Sequence, residues 1–380
     1  MNIKNRDIET LRACAILLVL ASHLRHFTSD LFLEPLPQLP LWQGVDLFFV
    51  ISGFLISNSL QPTATKYQQG LAWAADLKAF WIRRIFRLLP AAWLWVFIPL
   101  TMALIWPGHS LIGTLDTIAR DAFAALTNTA NFYWAYCIGT IHWGEFCSRA
   151  GILGVYWSLS LEEQFYLLLP LALLLITKRK LAIALALVIL ALLFTERPVF
   201  SVGWYVRPDG LLWGVLLSLY LSQVKDFISS GAKFTIPAKR LLFVALIIAL
   251  ILAPSILATS TTYLSTIGVI SIISAALVAM CAADESLTPR GLTGSILAWL
   301  GSRSYALYLC HWPIYCIIRI LIIPTNTTGQ PLHLEAITFT LTWCLSCIAL
   351  AEITYRYIET PLKAYGYRLA LKKHYKKTPL

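Results

Sequence analysis

Two ionisable side chains, Arg12 and His23, interrupt the first long apolar segment of the chain, residues 6–27. They are eleven positions apart. On an α-helix this is close to a whole number of turns, so both lie on one face, about 16 Å apart along the axis. A neutral imidazole can remove a proton from a hydroxyl or accept an acyl group. Ionisable groups inside an apolar span usually face a polar cavity, so the pair indicates the wall of a site. The alternative is that each side chain snorkels to one membrane interface.

A carboxylate, Asp46, lies near the start of the second apolar run. It can orient the imidazole of His23 and stabilise its protonated form. It can equally serve as a cap at the start of the span, and the sequence leaves both roles open. Ser52 and Gly53, farther along the same run, indicate close contact with another helix.

Two adjacent carboxylates, Glu162 and Glu163, stand at the start of a later span, with Tyr166 one turn below Glu162. Paired carboxylates have no structural use in lipid, so this pair predicts a functional role. Either carboxylate is a second candidate for orienting His23.

Three arginines, Arg83, Arg84 and Arg87, lie within five residues of each other and precede Pro90. Their i, i+3 and i, i+4 spacings converge on one patch if the segment is helical. Guanidinium groups match phosphate oxygens, so the cluster is a candidate phosphate site. A positive anchor at the inner membrane interface is the simpler alternative, although an anchor needs fewer arginines.

Four further positions are candidates with open roles. Arg207 and Asp209 flank a proline at the start of a span, where they either form an internal ion pair or take part in chemistry. His311 lies within a span, just before a proline-broken turn, where an imidazole and freed backbone groups can line a cavity. Tyr305 lies on the same segment.

The long outer segment, residues 107–155, is rich in aromatic side chains. Such side chains suit either sugar rings or a membrane-interface belt. The segment also holds Cys137 and Cys147, for which we expect a disulfide in the oxidising compartment, with two free thiols as the alternative. The other cysteines lie in or beside apolar runs, and we expect no metal site.

Composition predicts the elements that position these residues. Of the 380 residues, 58% are hydrophobic and 13% are charged, and the mean hydropathy is +0.71. These values exclude a water-soluble globule and predict an all-α, polytopic integral membrane protein. At about 20 residues per span, we expect about ten transmembrane helices. They fall at roughly 10–27, 41–60, 88–106, 156–177, 181–196, 208–223, 241–258, 263–282, 303–323 and 335–356.

The positions of Lys and Arg predict the orientation. Most of the 30 basic residues fall in segments that are cytoplasmic if the N-terminus is cytoplasmic, which places both termini on that side. The net charge of +11 therefore requires no nucleic-acid partner. We divide the chain into a transmembrane domain, residues 1–362, and a basic cytoplasmic tail, residues 363–380, that lies against anionic lipid.

Nucleotide hydrolysis, nicotinamide chemistry and zinc proteolysis are disfavoured. The chain has no Walker loop, no dinucleotide glycine fingerprint and no His-Glu-x-x-His.

Taken together, these stretches resemble the membrane acyltransferase 3 family over nearly the whole chain. The resemblance includes the pair Arg12 and His23. It is carried further by Gly44-Val-Asp-Leu-Phe-Phe-Val-Ile-Ser-Gly-Phe-Leu-Ile56, Arg83-Arg-Ile-Phe-Arg-Leu-Leu-Pro90, Trp157-Ser-Leu-Ser-Leu-Glu-Glu-Gln-Phe-Tyr166, Arg207-Pro-Asp-Gly-Leu-Leu-Trp-Gly214, Ser304-Tyr-Ala-Leu-Tyr-Leu-Cys-His-Trp-Pro313 and Ile358-Glu-Thr-Pro361.

The resemblance implies a ten-helix bacterial inner-membrane enzyme. Such an enzyme moves an acyl group, usually acetyl, from cytoplasmic acyl-coenzyme A to a hydroxyl on the outer side. Some relatives carry an extra esterase-like domain after the last helix, and we expect this chain to be the stand-alone form. We expect the acceptor to be a cell-surface glycan, such as an O-antigen or an exopolysaccharide. The alternatives are a small-molecule natural product and a lipid-linked sugar.

The resemblance and the residues fit one mechanistic hypothesis. Arg83, Arg84 and Arg87 hold the coenzyme A phosphates, and the pantetheine arm extends along the face that carries Arg12. His23 either deprotonates the acceptor hydroxyl or takes the acetyl group itself. Arg25 and His26 flank His23 and can share its role.

Two readings of other classes remain open. A secondary transporter also has charges in its spans and broken helices, but it more often shows an internal repeat. A non-catalytic membrane adaptor would not need the arginine cluster, Arg12 and His23 together.

Overall fold

The computed structural model describes residues 5–28, 39–139, 146–148, 151–230, 235–258, 264–283, 287–322 and 333–375. All long regular elements in these ranges are helical, as the composition predicts. The side chains of Arg25 and His26 and those of the basic tail from residue 372 onward lie outside the described set.

Fifteen α-helices and one π-helical turn make up the described chain. They are α1 Arg6–Thr28, α2 Gly44–Gln68, α3 Ala74–Ile105, α4 Leu115–Leu126, α5 Ala130–Gly139, α6 Tyr156–Leu175, α7 Lys178–Leu193, α8 Val202–Tyr205, α9 Asp209–Leu219, α10 Leu221–Ser230, α11 Ile236–Ala258, α12 Thr266–Ala282, α13 Gly291–Ile322, α14 His333–Thr354, the π-turn Tyr355–Glu359 and α15 Thr360–Tyr375.

Six helices of the described chain are long and apolar enough to cross a membrane, so the protein is a multi-pass membrane protein. A seventh span results if the bent unit Val202–Leu219 and Leu221–Ile228, with its 80° angle, counts as one crossing. Several other predicted ranges coincide with helices that differ from a standard span. Four charged residues stand in the first two turns of α1, and α7 and α12 have only 16 and 17 residues.

Helix α2 packs most extensively against α9, and glycine makes the close approach possible. A Cβ at Gly53 would stand 2.2 Å from the Leu211 carbonyl oxygen, and one at Gly214 would stand 2.4 Å from the Phe54 nitrogen. The close helix contact that the sequence predicts at Gly53 is therefore confirmed. It brings the start of α2 beside the segment that precedes α9.

Helix α1 is buried between neighbours, and α13 is its main contact. A Cβ at Gly301 would meet the Glu9 carbonyl oxygen at 1.9 Å, so these two backbones touch. By contrast, α11 exposes large apolar side chains along its length, including Leu241, Leu242 and Ile248, as expected for a helix that faces lipid.

Candidate active site

The face of α1 that carries Arg12 and His23 borders three cavities that follow one another through the protein. We name them by their walls. The basic cavity, about 670 Å³, is lined by residues that include Arg12, Arg87, Lys225 and Lys363. The middle cavity, about 90 Å³, is lined by Arg12, Arg84, Arg87, Glu162 and Glu163, among others. The aromatic cavity, about 440 Å³, is lined by residues that include His23, Arg207, two tyrosines and the five tryptophans Trp42, Trp134, Trp157, Trp204 and Trp312.

Shared walls connect the three cavities. Arg12, Arg87 and Tyr305 line both the basic and the middle cavity. Val45 and Tyr308 line both the middle and the aromatic cavity. The cavities therefore adjoin one another in a row, which we call the path, with Arg12 near its basic end and His23 near its aromatic end, as the helical arithmetic predicts for their common face.

Arg12 is held by α13. Its Nε and Nη2 donate to the hydroxyl oxygen of Ser304, at 3.3 and 3.0 Å. The contact of Gly301 with the α1 backbone, one turn earlier on α13, makes this reach possible. The guanidinium is thus oriented by a neutral hydroxyl, and it interacts electrostatically with Glu9, Glu162 and Glu359 along the path.

The arginine cluster on α3 divides into two parts. Arg84 and Arg87, three residues apart, line the middle cavity, and Arg84 lies over the Tyr166 ring at 5.5 Å. Arg83 instead lies over the Tyr367 ring at 5.8 Å. Arg83 is thus not in the wall of the middle cavity, although Tyr367, the ring that it contacts, is in the wall of the basic cavity.

Glu162 and Glu163 lie among the arginines of the middle cavity. Tyr166 donates a hydrogen bond to Glu162 Oε1, one turn away on α6. Arg84 interacts electrostatically with both carboxylates. The hypothesis that one of them orients His23 is not the arrangement observed, because they line the middle cavity whereas His23 lines the aromatic cavity.

His23 contacts a second histidine. Its Nδ1 lies 3.1 Å from Nε2 of His311 on α13, and the Trp312 ring packs edge-on against the His23 ring at 4.7 Å. His311 is fully buried, and its Nδ1 lies 3.1 Å from the Leu307 carbonyl oxygen. The sequence marks His311 as a candidate, and the structure brings it together with His23.

Asp46 does not orient His23 in this structure. Its two carboxylate oxygens accept hydrogen bonds from Nε and Nη2 of Arg207, at 2.9 and 3.2 Å. Both side chains are fully buried, and the Arg207 guanidinium also lies 3.8 Å from the Trp204 ring centre and 4.7 Å from that of Trp157. The close packing of α2 on α9 produces this pair.

Arg207 and Asp209 are therefore each ion-paired, but not with one another. Asp209 accepts from Nη1 and Nη2 of Arg197, at 2.5 and 2.7 Å, and Arg197 also donates to Ser265. The local spacing left open an ion pair across the proline or a part in chemistry, whereas tertiary packing supplies a different partner for each residue.

A small lobe, made of α4, α5 and residues 146–148 and 151–155, contributes part of the wall of the aromatic cavity. Cys137 on α5 and Cys147 form the disulfide for which the sequence marks them, and Trp134, one turn before Cys137, lines the cavity. Asp121 on α4 accepts hydrogen bonds from Ser148 and from the Tyr133 hydroxyl, the latter at 2.6 Å. Burial raises the pKa of the Asp121 carboxyl, and hydrogen bonds to it act in the opposite direction.

The sequence did not indicate several residues that lie at these cavities. They are Ser304, Lys225, Lys363 and Glu359. The Ile-Glu-Thr-Pro motif includes Glu359, but the sequence does not predict which way its side chain points. The π-turn at 355–359 shifts the register of the helix at this residue. Within the described ranges, no group of three His, Cys, Asp or Glu side chains is placed to hold a metal ion.

Comparison of the sequence with known proteins places the chain in a family. Residues 5–352 match the family model described as an acyltransferase domain. The chain is 28% identical to the putative peptidoglycan O-acetyltransferase YrhL of Bacillus subtilis, over 95% of this chain and 55% of that protein. It is 28% identical to the peptidoglycan O-acetyltransferase OatA of Listeria monocytogenes and 29% identical to the O-acetyltransferase OatA of Staphylococcus aureus.

Those two matches cover 95% of this chain and 56% and 57% of the respective relatives. The chain thus spans slightly more than half the length of the curated relatives it matches. No solved structure matches it.

Proposed function

The chain belongs to the membrane acyltransferase 3 family, and from that premise we propose that it transfers an acetyl group from acetyl-coenzyme A to a hydroxyl of a cell-surface glycan. The observation that carries the proposal is the path of three cavities, which joins a basic cavity to an aromatic cavity that contains a histidine. A group-transfer reaction between substrates on opposite sides of a membrane needs such a path.

The basic cavity suits the donor. Lys225, Lys363 and Arg87 surround a volume of about 670 Å³, and the coenzyme A phosphates carry the matching negative charge. Arg84 extends the positive wall into the middle cavity, whose volume of about 90 Å³ admits only part of an extended, narrow chain such as pantetheine. In the proposal, the phosphates stay at the basic end and the thioester reaches toward His23.

The aromatic cavity suits the acceptor. Flat aromatic walls with polar edges pack well against sugar rings. We infer a glycan acceptor, and the candidates are peptidoglycan, the substrate named for two relatives, and an O-antigen or exopolysaccharide, which the sequence favours. A deletion strain decides between them, because only the true acceptor loses its O-acetyl groups. Loss of an acyl group from a secreted small molecule alone, or from a lipid-linked sugar alone, would contradict all three.

The proposed step uses His23 as a general base. His23 removes the proton of the acceptor hydroxyl while the oxygen attacks the thioester carbonyl. The carbon–sulfur bond then breaks, and the departing thiolate takes the proton from the imidazolium, which leaves an ester, free coenzyme A and neutral histidine. An acetyl-histidine intermediate is the alternative route. Labelled acetyl on His23 after acid quenching would support that alternative.

The proposal also implies an orientation of the protein in the membrane. We place the N- and C-termini and the basic cavity in the cytoplasm and the aromatic cavity outside the inner membrane, with ten spans in total. The cystine in the small lobe and the excess of basic residues at the opposite end support this assignment.

Purified protein in lipid nanodiscs tests the activity. We expect time-dependent transfer of labelled acetyl from acetyl-coenzyme A to a glycan acceptor, or slow donor hydrolysis without acceptor. Binding of acetyl-coenzyme A with neither reaction would favour a transporter or an adaptor.

A further inference from the structure

Two histidines from distant parts of the chain meet in a linear hydrogen-bonded series. On α13, the Leu307 carbonyl oxygen lies 3.1 Å from His311 Nδ1. On the other edge of the same ring, His311 Nε2 lies 3.1 Å from His23 Nδ1. The two histidines are separated by 288 positions in the chain, so their contact depends on the packing of α1 against α13.

The chemistry of the three groups determines where the protons lie. A carbonyl oxygen can only accept, so His311 Nδ1 carries a proton. His311 is fully buried, and a second proton would place a positive charge in an apolar interior. Its Nε2 therefore presents a lone pair, which accepts the proton on His23 Nδ1. The remaining nitrogen of neutral His23, Nε2, then carries the lone pair that can act as a base.

From this geometry we infer that His311 is a positioning residue that holds His23 in the Nδ1-protonated tautomer, with Nε2 as the basic nitrogen. The inference rests on the proposed function for its catalytic meaning. It assigns to a neutral histidine the orienting role that carboxylates often have toward a catalytic imidazole.

Packing around the two rings supports a fixed geometry. The Trp343 indole N–H donates to the His311 carbonyl oxygen at 3.0 Å, which ties α14 to α13 at this residue. The Tyr308 ring lies 5.8 Å from that of His311, and Trp312 closes the other side of His23. Each imidazole therefore packs against an aromatic ring of α13.

The arrangement has a consequence for the reaction. When His23 Nε2 takes the hydroxyl proton, the imidazolium keeps its Nδ1–H bonded to the His311 lone pair, which stabilises the charge. No proton has to move along the series. The proton on Nε2 passes to the departing thiolate, and both histidines return to their starting states.

Nitrogen-15 NMR of the histidine-labelled protein in nanodiscs tests the tautomer directly. The chain has 7 histidines, and loss of signals in His23→Gln assigns His23. We expect a protonated Nδ1 and an unprotonated Nε2. His109 is an internal reference of the opposite kind, since its Nδ1 accepts from the Leu111 N–H at 3.2 Å. An Nε2-protonated His23 in the unmodified protein would overturn the inference.

Two substitutions separate positioning from packing. In His311→Leu we expect His23 to lose the Nδ1–H preference and kcat to fall about 10²-fold, the lower end of what general-base catalysis contributes, with an unchanged KM for acetyl-coenzyme A. In His311→Gln the amide oxygen can accept from His23 Nδ1, so both the tautomer and most of kcat should return. His109→Gln is the matched control and should leave kcat unchanged.

A Leu variant that kept the tautomer and kcat, or a Gln variant no better than Leu, would contradict a positioning role. If His311→Leu does not fold, the unmodified protein and His311→Gln still decide the question. If the unmodified protein transfers no acetyl group, the proposed function is wrong. The NMR measurement still decides whether His311 holds His23 in the Nδ1-protonated tautomer.

Discussion

The basic cavity and the aromatic cavity differ in how their polar groups are held. At the basic end, Lys225, Lys363 and Arg87 line an open volume with an excess of positive charge. At the aromatic end, Arg207, the one arginine among the described residues of the wall, is neutralised by Asp46, and the imidazoles of His23 and His311 bond to each other. The basic cavity therefore suits an anionic ligand, and the aromatic cavity suits an uncharged sugar ring.

This difference teaches how one path can serve two substrates. A charged donor is retained where positive charges outnumber negative charges, because each guanidinium or ammonium can bond to a phosphate oxygen. A neutral acceptor needs a cavity of matching shape and a base beside it. Because Asp46 compensates the charge of Arg207, the aromatic cavity does not retain anions. Substitutions at the two ends should therefore change different measured quantities.

The largest effect is expected at the aromatic end. His23→Ala removes the base and should lower kcat about 10²–10⁴-fold while the Kd for acetyl-coenzyme A stays nearly unchanged. Single-turnover rates and equilibrium donor binding measure the two quantities. His109→Ala is the control, and His26→Ala should be much milder because it lies about 300° farther around the helix. Weakened donor binding in His23→Ala, with normal kcat, would contradict the assignment of donor binding to the basic cavity and of catalysis to the aromatic cavity.

The next effect concerns the compensated charge. Arg207→Leu leaves the buried Asp46 carboxylate without its partner and should lower the free energy of unfolding by about 3–5 kcal/mol. Adding Asp46→Asn should restore part of that loss, because the uncompensated charge is removed. Unfolding in mixed micelles compares the three proteins. Equal stability of the single and double variants would show that the pair is not a coupled unit.

A smaller stability effect is expected from the small lobe at the aromatic cavity. Mass spectrometry of unreduced protein should find the Cys137 and Cys147 peptides linked. Replacing both by Ser should cost about 3 kcal/mol of unfolding free energy while kcat per folded molecule is retained. Alkylation of both thiols in fresh membranes, without reductant, would contradict the bond.

The smallest effect is a comparison within the arginine cluster. Arg87→Gln should weaken donor binding about 10-fold, since a hydrogen bond to a charged group contributes about 1.5 kcal/mol. Arg83→Gln should change it less than about 2-fold, because Arg83 is in the wall of neither the basic nor the middle cavity. Calorimetric titration with acetyl-coenzyme A measures both. Equal losses would return Arg83 to the donor site.

The helices and the common face of Arg12 and His23 could be predicted from the sequence because both follow from local periodicity. The partners of the polar groups could not. Arg207 lies 161 positions from Asp46 in the chain, and His311 lies 288 positions from His23. Local spacing instead favoured the nearby Asp209 for Arg207. In a membrane protein, which buried charge meets which partner depends on helix packing, here on the glycines of α2 and α9.

The central claim, that one path joins a donor end to an acceptor end, is tested most directly by transfer across a sealed membrane. The protein is reconstituted in one orientation, with acetyl-coenzyme A only on the side of the basic cavity and a soluble glycan acceptor only on the side of the aromatic cavity. We predict acetylated glycan on the acceptor side, abolished by His23→Ala. Transfer only when both substrates share one side would contradict the account.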